Sequence, residues 1–233
     1  MKFPRPLVKA KFLKRYKRFF SEHVLEDGSR VIAHCPNTGA MTGITDIGIT
    51  SWLSKRDEPK RKLKWTWELV CKNNIFIGVN THNPNNIIFE AINNKKILKL
   101  AGYSNIRREV KYGENSKIDF LLQSDKKKDC YLEIKNVHLS RNKSLAEFPD
   151  SVTERGKKHL LELSNVVISG KRALLLFLIQ RDDCRSFRIA NDIDPKYFES
   201  FKKAIDIGVE VLCISSIINS EEINIGRKVK LLL

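Results

Sequence analysis

The chain has 233 residues, enough for one large domain or two small ones. With 43 Lys and Arg against 27 Asp and Glu, its formal net charge is +16, which attracts polyanions, nucleic acid first and an anionic membrane surface second. No apolar stretch approaches the ~20 residues that a membrane-spanning helix needs, and the five scattered cysteines form no CxxC pair, which argues against a zinc ribbon or a disulfide framework. We therefore expect a cytoplasmic protein that associates with nucleic acid and with no membrane, while noting that an AT-rich genome also enriches lysine.

The first 85 residues favour a small β-barrel, because short apolar runs alternate with turn residues. A basic arm leads into a predicted first strand near residues 7–19, and further strands are predicted at 31–33, 65–70 and 75–79. Residues 55–64 are dense in Lys and Arg and are predicted to form an exposed loop.

Basic side chains of this half are candidates for contacts with a nucleic-acid backbone. Trp52 is a candidate platform for base stacking, as are Trp65 and Trp67, with packing in the core as the alternative for all three. The predicted basic contacts in this half are Lys9, Lys11, Arg15, Arg18, Lys62 and Lys64.

The segment His34–Gly39 is predicted to be a tight turn. Cys35 beside His34 suggests a nucleophile pair, but neighbouring residues of a strand point to opposite faces. A structural turn, or a backbone surface near a ligand, is therefore the favoured interpretation.

Residues 86–233 have the element order of a layered α/β domain: helix, strand, strand, helix, strand, helix, strand. The first helix is predicted at 86–97, followed by a hairpin over 117–136 that is centred near Lys126. A capping box at Ser151–Glu154 predicts a helix to residue 167, and 172–180 reads as a fully buried strand. Asp194 and Pro195 predict the start of a helix that ends at Gly208, before a last strand at 209–214.

Three charged residues interrupt the apolar hairpin strands, and they are the strongest functional signal in the chain. Asp119 follows Ile118, while Glu133 and Lys135 are two residues apart on the next strand and share a face. Burying an unpaired carboxylate costs several kcal/mol, so these positions favour a function. A hairpin centred near Lys126 would place Asp119 opposite Glu133.

This acid, acid and lysine set suits a metal-dependent phosphodiester site. Mg²⁺ prefers oxygen ligands and often takes only one or two protein carboxylates, so Asp119 and Glu133 are the predicted metal ligands, with Mn²⁺ as a substitute ion. Lys135 would orient water or neutralise the phosphate. Glu90 is the predicted further catalytic acid, and Glu109 competes for that role. The alternative is a Glu133–Lys135 ion pair on a solvated strand.

On the following helix, Arg155, His159 and Glu162 recur at helical spacing and share one face. Arg155 and His159 are predicted to contact nucleic-acid phosphate near the metal. A solvated face is the equal alternative, and His138 is judged incidental.

Several motifs together resemble the SfsA family, the sugar fermentation stimulation protein A homologues, over nearly the whole chain. In the N-terminal half they are the segments 34–39 and 67–70. In the C-terminal half they are the segments 112–113, 117–122, 133–137, 148–150, 152–156 and 175–181. Ala40 stands where the family commonly has Ser, and Lys117 stands where Arg is usual. The lysine at 117 weakens any role that needs a bidentate guanidinium.

The resemblance implies an OB-fold-like domain at residues 1–85 and a nuclease-like domain of the PD-(D/E)XK type at 86–233. It also implies cytoplasmic proteins that bind DNA without sequence preference and are connected with regulation of sugar, particularly maltose, metabolism. The nuclease-like core of the family falls on Asp119, Glu133 and Lys135.

Two hypotheses follow. The first is a DNA-binding protein that is not an enzyme, whose affinity falls steeply with salt. The second is a Mg²⁺-dependent nuclease that cleaves DNA or RNA at the Asp119, Glu133 and Lys135 site. A regulator that acts through protein contacts is a weaker third, and we leave open whether the chain forms a homodimer.

Overall fold

The computed structural model describes residues 1–56, 58, 61–113 and 116–233. The described residues among the first 78 supply six strands, which form a barrel with one added strand. They are β1 (Val8–Tyr16), β2 (Phe20–Leu25), β3 (Arg30–His34), β4 (Thr50–Lys55), β5 (Trp65–Lys72) and β6 (Ile75–Gly78).

The barrel is closed by five strands in the order β1–β2–β3–β5–β4, and the parallel pairing of β3 with β5 completes the ring. Inward-pointing side chains fill it, among them Phe12 and Trp67, whose rings stack 4.8 Å apart. The predicted small barrel is therefore confirmed. The predicted loop at 55–64 links β4 to β5, although Asp57, Pro59 and Lys60 within it lie outside the described residues.

The rest of the chain forms an α/β domain with three α-helices among the described residues. The helices are α1 (Asn83–Asn93), α2 (Glu154–Ile168) and α3 (Pro195–Ile207), and a short 3₁₀ turn spans Leu98–Leu100. The strands are β7 (Asn105–Tyr112), β8 (Ser116–Ser124), β9 (Lys127–Val137), β10 (Leu145–Phe148), β11 (Arg172–Ile179), β12 (Ser186–Ile189), β13 (Glu210–Ile218), β14 (Ile223–Lys228) and β15 (Lys230–Leu232).

Six of these strands form one mixed sheet in the order β14–β13–β11–β9–β8–β7. Helices α2 and α3 pack on one face through a core that includes Leu163, Phe177 and Phe201. Helix α1 packs on the other face, where Leu69 of the barrel joins the same apolar cluster as Ile88. The central strand β11 is buried on both faces, which explains its continuous apolar sequence.

The predicted caps agree with the structure at α3 and differ at α2. Asp194 accepts a hydrogen bond from the Tyr197 N–H, and Gly208 ends α3 at a φ of 111°, a left-handed conformation that suits glycine. At α2 the cap is Thr153, whose side chain accepts from the Gly156 N–H, so the predicted capping box at Ser151 is wrong.

Other elements differ from the predicted ones in their bounds or in number. Helix α1 starts at Asn83, three residues before the predicted 86, because Pro84 occupies the first turn, where its missing N–H costs nothing. The predicted domain boundary after residue 85 falls inside this helix. Strand β7 and a small parallel sheet of β10, β12 and β15 were not predicted as separate elements. They are short or carry many charges, so their sequence pattern is weak.

The His34–Gly39 turn joins the two domains. Asp150, after the cis peptide bond Phe148–Pro149, accepts a hydrogen bond from the Met41 N–H at 3.1 Å, and a β-carbon at Gly39 would collide with its carboxylate. Arg15 donates to the carbonyl oxygens of Asn37 and Gly39 from the other side. The turn is therefore a structural joint. No α-helix in the described part of the chain is long and apolar enough to cross a membrane.

Candidate functional site

Strands β7, β8 and β9 diverge from regular pairing at Asp119. On β7, Ile106 packs on the α1 face of the sheet but Val110 packs on the α2 face. On β8, Phe120 packs on the α1 face but Ile118 packs on the α2 face. Residues separated by an even number normally share a face, so both strands change face between these positions, at Glu109 and Asp119. Glu109 has a φ of 53°, a left-handed conformation that is strained for a residue other than glycine.

Asp119 occupies the gap that this divergence opens. One carboxylate oxygen accepts the Ile134 N–H at 2.7 Å, in place of a backbone carbonyl, and the other accepts from the Asn85 side chain at 2.8 Å. Asn85 lies in the first turn of α1. The Asp119 carboxylate is therefore held by one donor from a helix and by one backbone N–H from the neighbouring strand β9.

Glu133 lies on the α2 side of β9 and is 3% exposed. Its Oε1 accepts from the Lys135 ammonium at 2.8 Å and contacts Nδ1 of His159 on α2. Its Oε2 is buried and has no hydrogen-bond partner among the described residues. An unpartnered buried carboxylate oxygen is costly in the free protein, so this atom is poised for a ligand that donates or carries positive charge.

The two acids respond differently to this environment. Burial, and next the charge of Glu133, raise the pKa of Asp119 from 3.8 to about 6, against the opposing hydrogen bond of Ile134. Burial also raises the pKa of Glu133, but Lys135 and His159 outweigh it and the net pKa lies below its usual value. Asp119 therefore carries the electrostatic cost of placing two carboxylates together.

The structure favours Glu109 over Glu90 as a third acid. Glu109 lies opposite Asp119 between the pairs Arg108–Phe120 and Val110–Ile118, and it lines a recess with Arg155 and His159. Glu90 is exposed and accepts a hydrogen bond from the amino group of Met1 at 2.9 Å. The structure does not bring Glu90 to Asp119, because Glu90 lies on the solvent-facing side of α1.

Helix α2 turns its functional face towards the sheet. His159 and Glu162 are buried, which excludes the alternative of a wholly solvated face. Arg155 remains exposed, and its Nε lies 3.3 Å from Nε2 of His159. The sequence grouped these residues by helical spacing but did not show that His159 contacts Glu133, because that contact depends on how α2 packs on β9.

The candidate nucleic-acid contacts of the barrel divide into exposed side chains and side chains that are partly or fully buried. The exposed residues are Lys9, Lys11, Arg18, Lys62 and Lys64. Arg15 is committed to backbone carbonyls of the domain joint. Trp52 is half-buried and its ring lies 6.0 Å from that of Phe76, and its role as a stacking platform stays a prediction. Trp67 is fully buried, as the alternative of core packing predicted.

The remaining candidates have structural roles. His138 is buried with its Nε2 3.4 Å from Asp150, at the domain joint. Cys35 is buried, and burial raises the pKa of its thiol, which opposes nucleophilic chemistry.

A divalent cation fits this donor set. Among the described residues no group of three His, Cys, Asp or Glu side chains forms a complete metal cage. Mg²⁺ does not need one, because it retains several waters and takes one or two carboxylates. The unpartnered Oε2 of Glu133 offers such an ion a carboxylate oxygen. A bound cation would also offset the burial and the repulsion from Glu133 that raise the pKa of Asp119.

Comparisons with known proteins agree with this architecture. Residues 13–79 match the model of the SfsA N-terminal OB domain, and residues 82–222 match the model of the sugar fermentation stimulation protein RE domain. The chain is 49% identical over 230 residues to a sugar fermentation stimulation protein homolog of Maricaulis maris, covering 99% of this chain and 98% of that one. It is 51% identical over 227 residues to a homolog of Jannaschia sp., covering 97% and 94%.

A solved structure shares the whole fold. The structure of Pyrococcus furiosus SfsA in complex with Ca²⁺ superimposes with a TM-score of 0.91 and 24% identity, covering 100% of this chain and 98% of that one. With an OB barrel, an α/β domain of this topology and close relatives along its full length, the chain belongs to the SfsA family.

Proposed function

We propose that this protein binds nucleic acid without sequence preference and hydrolyses phosphodiester bonds at Asp119, Glu133 and Lys135 with a bound divalent cation. The observation that carries the proposal is the environment of Glu133. One oxygen of this buried carboxylate is held by Lys135 and His159, and the other faces no partner among the described residues, close to Asp119.

The donor set supports Asp119 and Glu133 as the residues that would hold the cation. When bound, Mg²⁺ supplies charge stabilisation at the phosphoryl oxygens and acidifies water. The similarly folded Pyrococcus furiosus protein is described in complex with Ca²⁺, which shares the preference of Mg²⁺ for oxygen ligands. That description supports a cation site in this fold.

The protein side chains divide the remaining work. Lys135 places a positive charge beside Glu133, where it would offset the charge of a phosphate. His159 fixes the carboxylate of Glu133 from α2, and Arg155 extends from the same helix into solvent, within reach of an incoming phosphate. Preorganised donors and charges of this kind stabilise developing negative charge more effectively than water does.

The excess of basic residues supports nucleic acid as the substrate class. The net charge is +16, and exposed lysines lie on β1 of the barrel and on the loop before β5. Such binding depends on counterion release and weakens steeply with salt. We propose that any role in sugar metabolism follows from this activity on nucleic acid.

A cleavage assay tests the proposal. Labelled single-stranded and double-stranded DNA and RNA are incubated with Mg²⁺ or Mn²⁺ and with the wild-type protein, Asp119→Asn, Glu133→Gln and Glu90→Gln. We expect metal-dependent cleavage that is lost in the first two variants and retained in Glu90→Gln, which removes a carboxylate outside the site. Cleavage that is lost in all three variants, or that is retained in all three, would contradict the assignment of Asp119 and Glu133 to the site.

A DNA-binding protein without hydrolysis is the second candidate. It is favoured by the pairing of Lys135 with Glu133 at 2.8 Å, which engages the lysine inside the site. Salt-sensitive binding with no cleavage under any metal, equal in the wild type and in Glu133→Gln, would support this candidate against the first.

A further inference from the structure

A second pocket adjoins the acidic site along α2. It has a volume of about 530 Å³ and lies between the end of β7, the middle of β9 and the second half of α2. Its walls include Tyr112, Tyr131 and Glu162, and Lys158 lines both this pocket and the recess beside Glu109. The two cavities therefore lie on either side of the Lys158 side chain.

Glu162 is a buried acid that faces this pocket. Its side chain is 6% exposed, and neither carboxylate oxygen has a hydrogen-bond partner in the described parts of the chain. The Lys158 ammonium forms an ion pair with Oε1 at 3.9 Å, a distance that is too long for a hydrogen bond. Leaving two acceptor atoms buried in this way is unfavourable unless a ligand supplies donors.

Backbone and aromatic groups shape the space around this carboxylate. A β-carbon at Gly113, where φ is 55°, would lie 2.8 Å from Oε1 of Glu162, so glycine allows the close approach of β7. The rings of Tyr112 and Tyr131 are 5.8 Å apart, and among the described residues the hydroxyl of Tyr112 makes no hydrogen bond of normal geometry, although it lies near Glu162. The walls are thus aromatic, with unsatisfied polar groups between them.

The rim of the pocket is basic. Lys111, Lys158 and Lys171 line it, and all three are exposed. A fitting ligand therefore combines negative charge at the rim, a flat apolar body against the tyrosine side of the pocket, and hydrogen-bond donors directed at Glu162. A nucleotide has all three features, with its phosphate at the lysines and its base in the pocket.

Two adjacent carboxylate oxygens select among the bases. Guanine presents two neighbouring donors on its Watson–Crick edge, the N1–H and the N2 amino group. Adenine and cytosine present one amino group beside a ring nitrogen that accepts, and uracil and thymine present one N–H between two carbonyl groups. Any of these would place an acceptor against the carboxylate, and a buried polar site rejects a ligand that leaves its groups unpaired.

We propose that this pocket binds an unpaired guanine nucleotide next to the scissile phosphate. The inference rests on the proposed function and specifies its substrate, because a Watson–Crick edge is free only in a single strand or in a base turned out of a duplex. Glu162 would accept from guanine N1–H and N2, and the lysine rim would hold the flanking phosphates.

Binding of mononucleotides tests this without any cleavage. Calorimetry or NMR titration with GMP, IMP, AMP, CMP and UMP would measure affinity for the full-length protein. We expect GMP to bind at least ~10-fold more tightly than the others, IMP included, because a bidentate base contact is worth about that much. IMP lacks only the N2 amino group, so this comparison needs no variant.

Two variants separate base selection from phosphate binding. Glu162→Gln should reduce GMP affinity to that of AMP, because its amide offers a donor where guanine needs an acceptor. Lys111→Ala should weaken GMP and AMP by the same factor. Equal affinity for GMP and AMP in the wild type, or a guanine preference that survives in Glu162→Gln, would overturn the inference. If DNA is still cleaved in that case, the proposed function stands without it.

Discussion

The raised pKa of Asp119 makes a quantitative prediction for the substitution Asp119→Asn. Burial and repulsion from Glu133 raise this pKa from 3.8 to about 6. Each pKa unit corresponds to about 1.4 kcal/mol, so keeping this group ionised in the folded protein costs roughly 3 kcal/mol above pH 6. The folded state binds the extra proton, so the contribution of Asp119 to stability falls as pH rises from about 4 through 6.

The substitution removes this cost but also removes an acceptor. An asparagine can accept from Ile134 or from Asn85 with its single carbonyl oxygen, and losing the other hydrogen bond costs about 1–2 kcal/mol at every pH. We therefore expect Asp119→Asn to be more stable than the wild type by ~1–2 kcal/mol at pH 8 and less stable by ~0.4–1.4 kcal/mol at pH 4, where only about 0.6 kcal/mol of the ionisation cost remains. The difference between the two pH values, roughly 2–3 kcal/mol, does not depend on the size of the hydrogen-bond term.

Urea denaturation at pH 4 and pH 8, without divalent metal, measures this difference. Asp125→Asn, in the exposed turn of the β8–β9 hairpin, controls for the loss of one surface carboxylate. A free-energy change for Asp119→Asn that is the same at both pH values would refute the electrostatic account of the site. Addition of Mg²⁺ at pH 8 should raise the unfolding midpoint of the wild type and leave that of the variant unchanged.

Three further substitutions test the surrounding structure. Lys135→Met should destabilise the protein by roughly 3 kcal/mol above pH 5, because it leaves the buried Glu133 without its cation. The lowered pKa of Glu133 means that this loss should shrink as pH falls below the usual glutamate range, and urea titrations that show no such trend would contradict it. Asp194→Ala should lower the free energy of unfolding by about 1–2 kcal/mol, because Asp194 accepts from the N–H groups of Thr153 and Tyr197. The control Asp206→Ala, at the other end of α3, should leave stability unchanged. Equal thermal midpoints for the two variants would count against the cap. Phe12→Ala should lower the free energy of unfolding by about 3–5 kcal/mol, measured by denaturant titration, because the Phe12 ring stacks on Trp67 inside the barrel. A loss below about 1 kcal/mol would show that the barrel collapses around the cavity.

Local chemistry made much of the fold readable from the sequence. The cap at Asp194 and the glycine at 208 fixed α3 to the residue, because side-chain capping and a left-handed φ act within one turn of helix. The continuous apolar run of β11 and the hairpin turn near Lys126 were equally local signals. The same is true of the spacing that placed Glu133 and Lys135 on one face of β9.

Tertiary structure decided which polar residues meet. Glu90 and Glu109 are both acids near the hairpin in sequence, yet only Glu109 lies opposite Asp119, because β7 changes face there. His159 reaches Glu133 only through the packing of α2 on the sheet, and Asn85 reaches Asp119 only through the packing of α1. Arg15, a predicted nucleic-acid contact, donates to the carbonyl oxygens of Asn37 and Gly39 at the domain joint, which the sequence did not indicate. Residue types and their spacing thus determined the longer helices and strands and the acidic core. Contacts between elements distant in the chain depend on packing that no local pattern encodes.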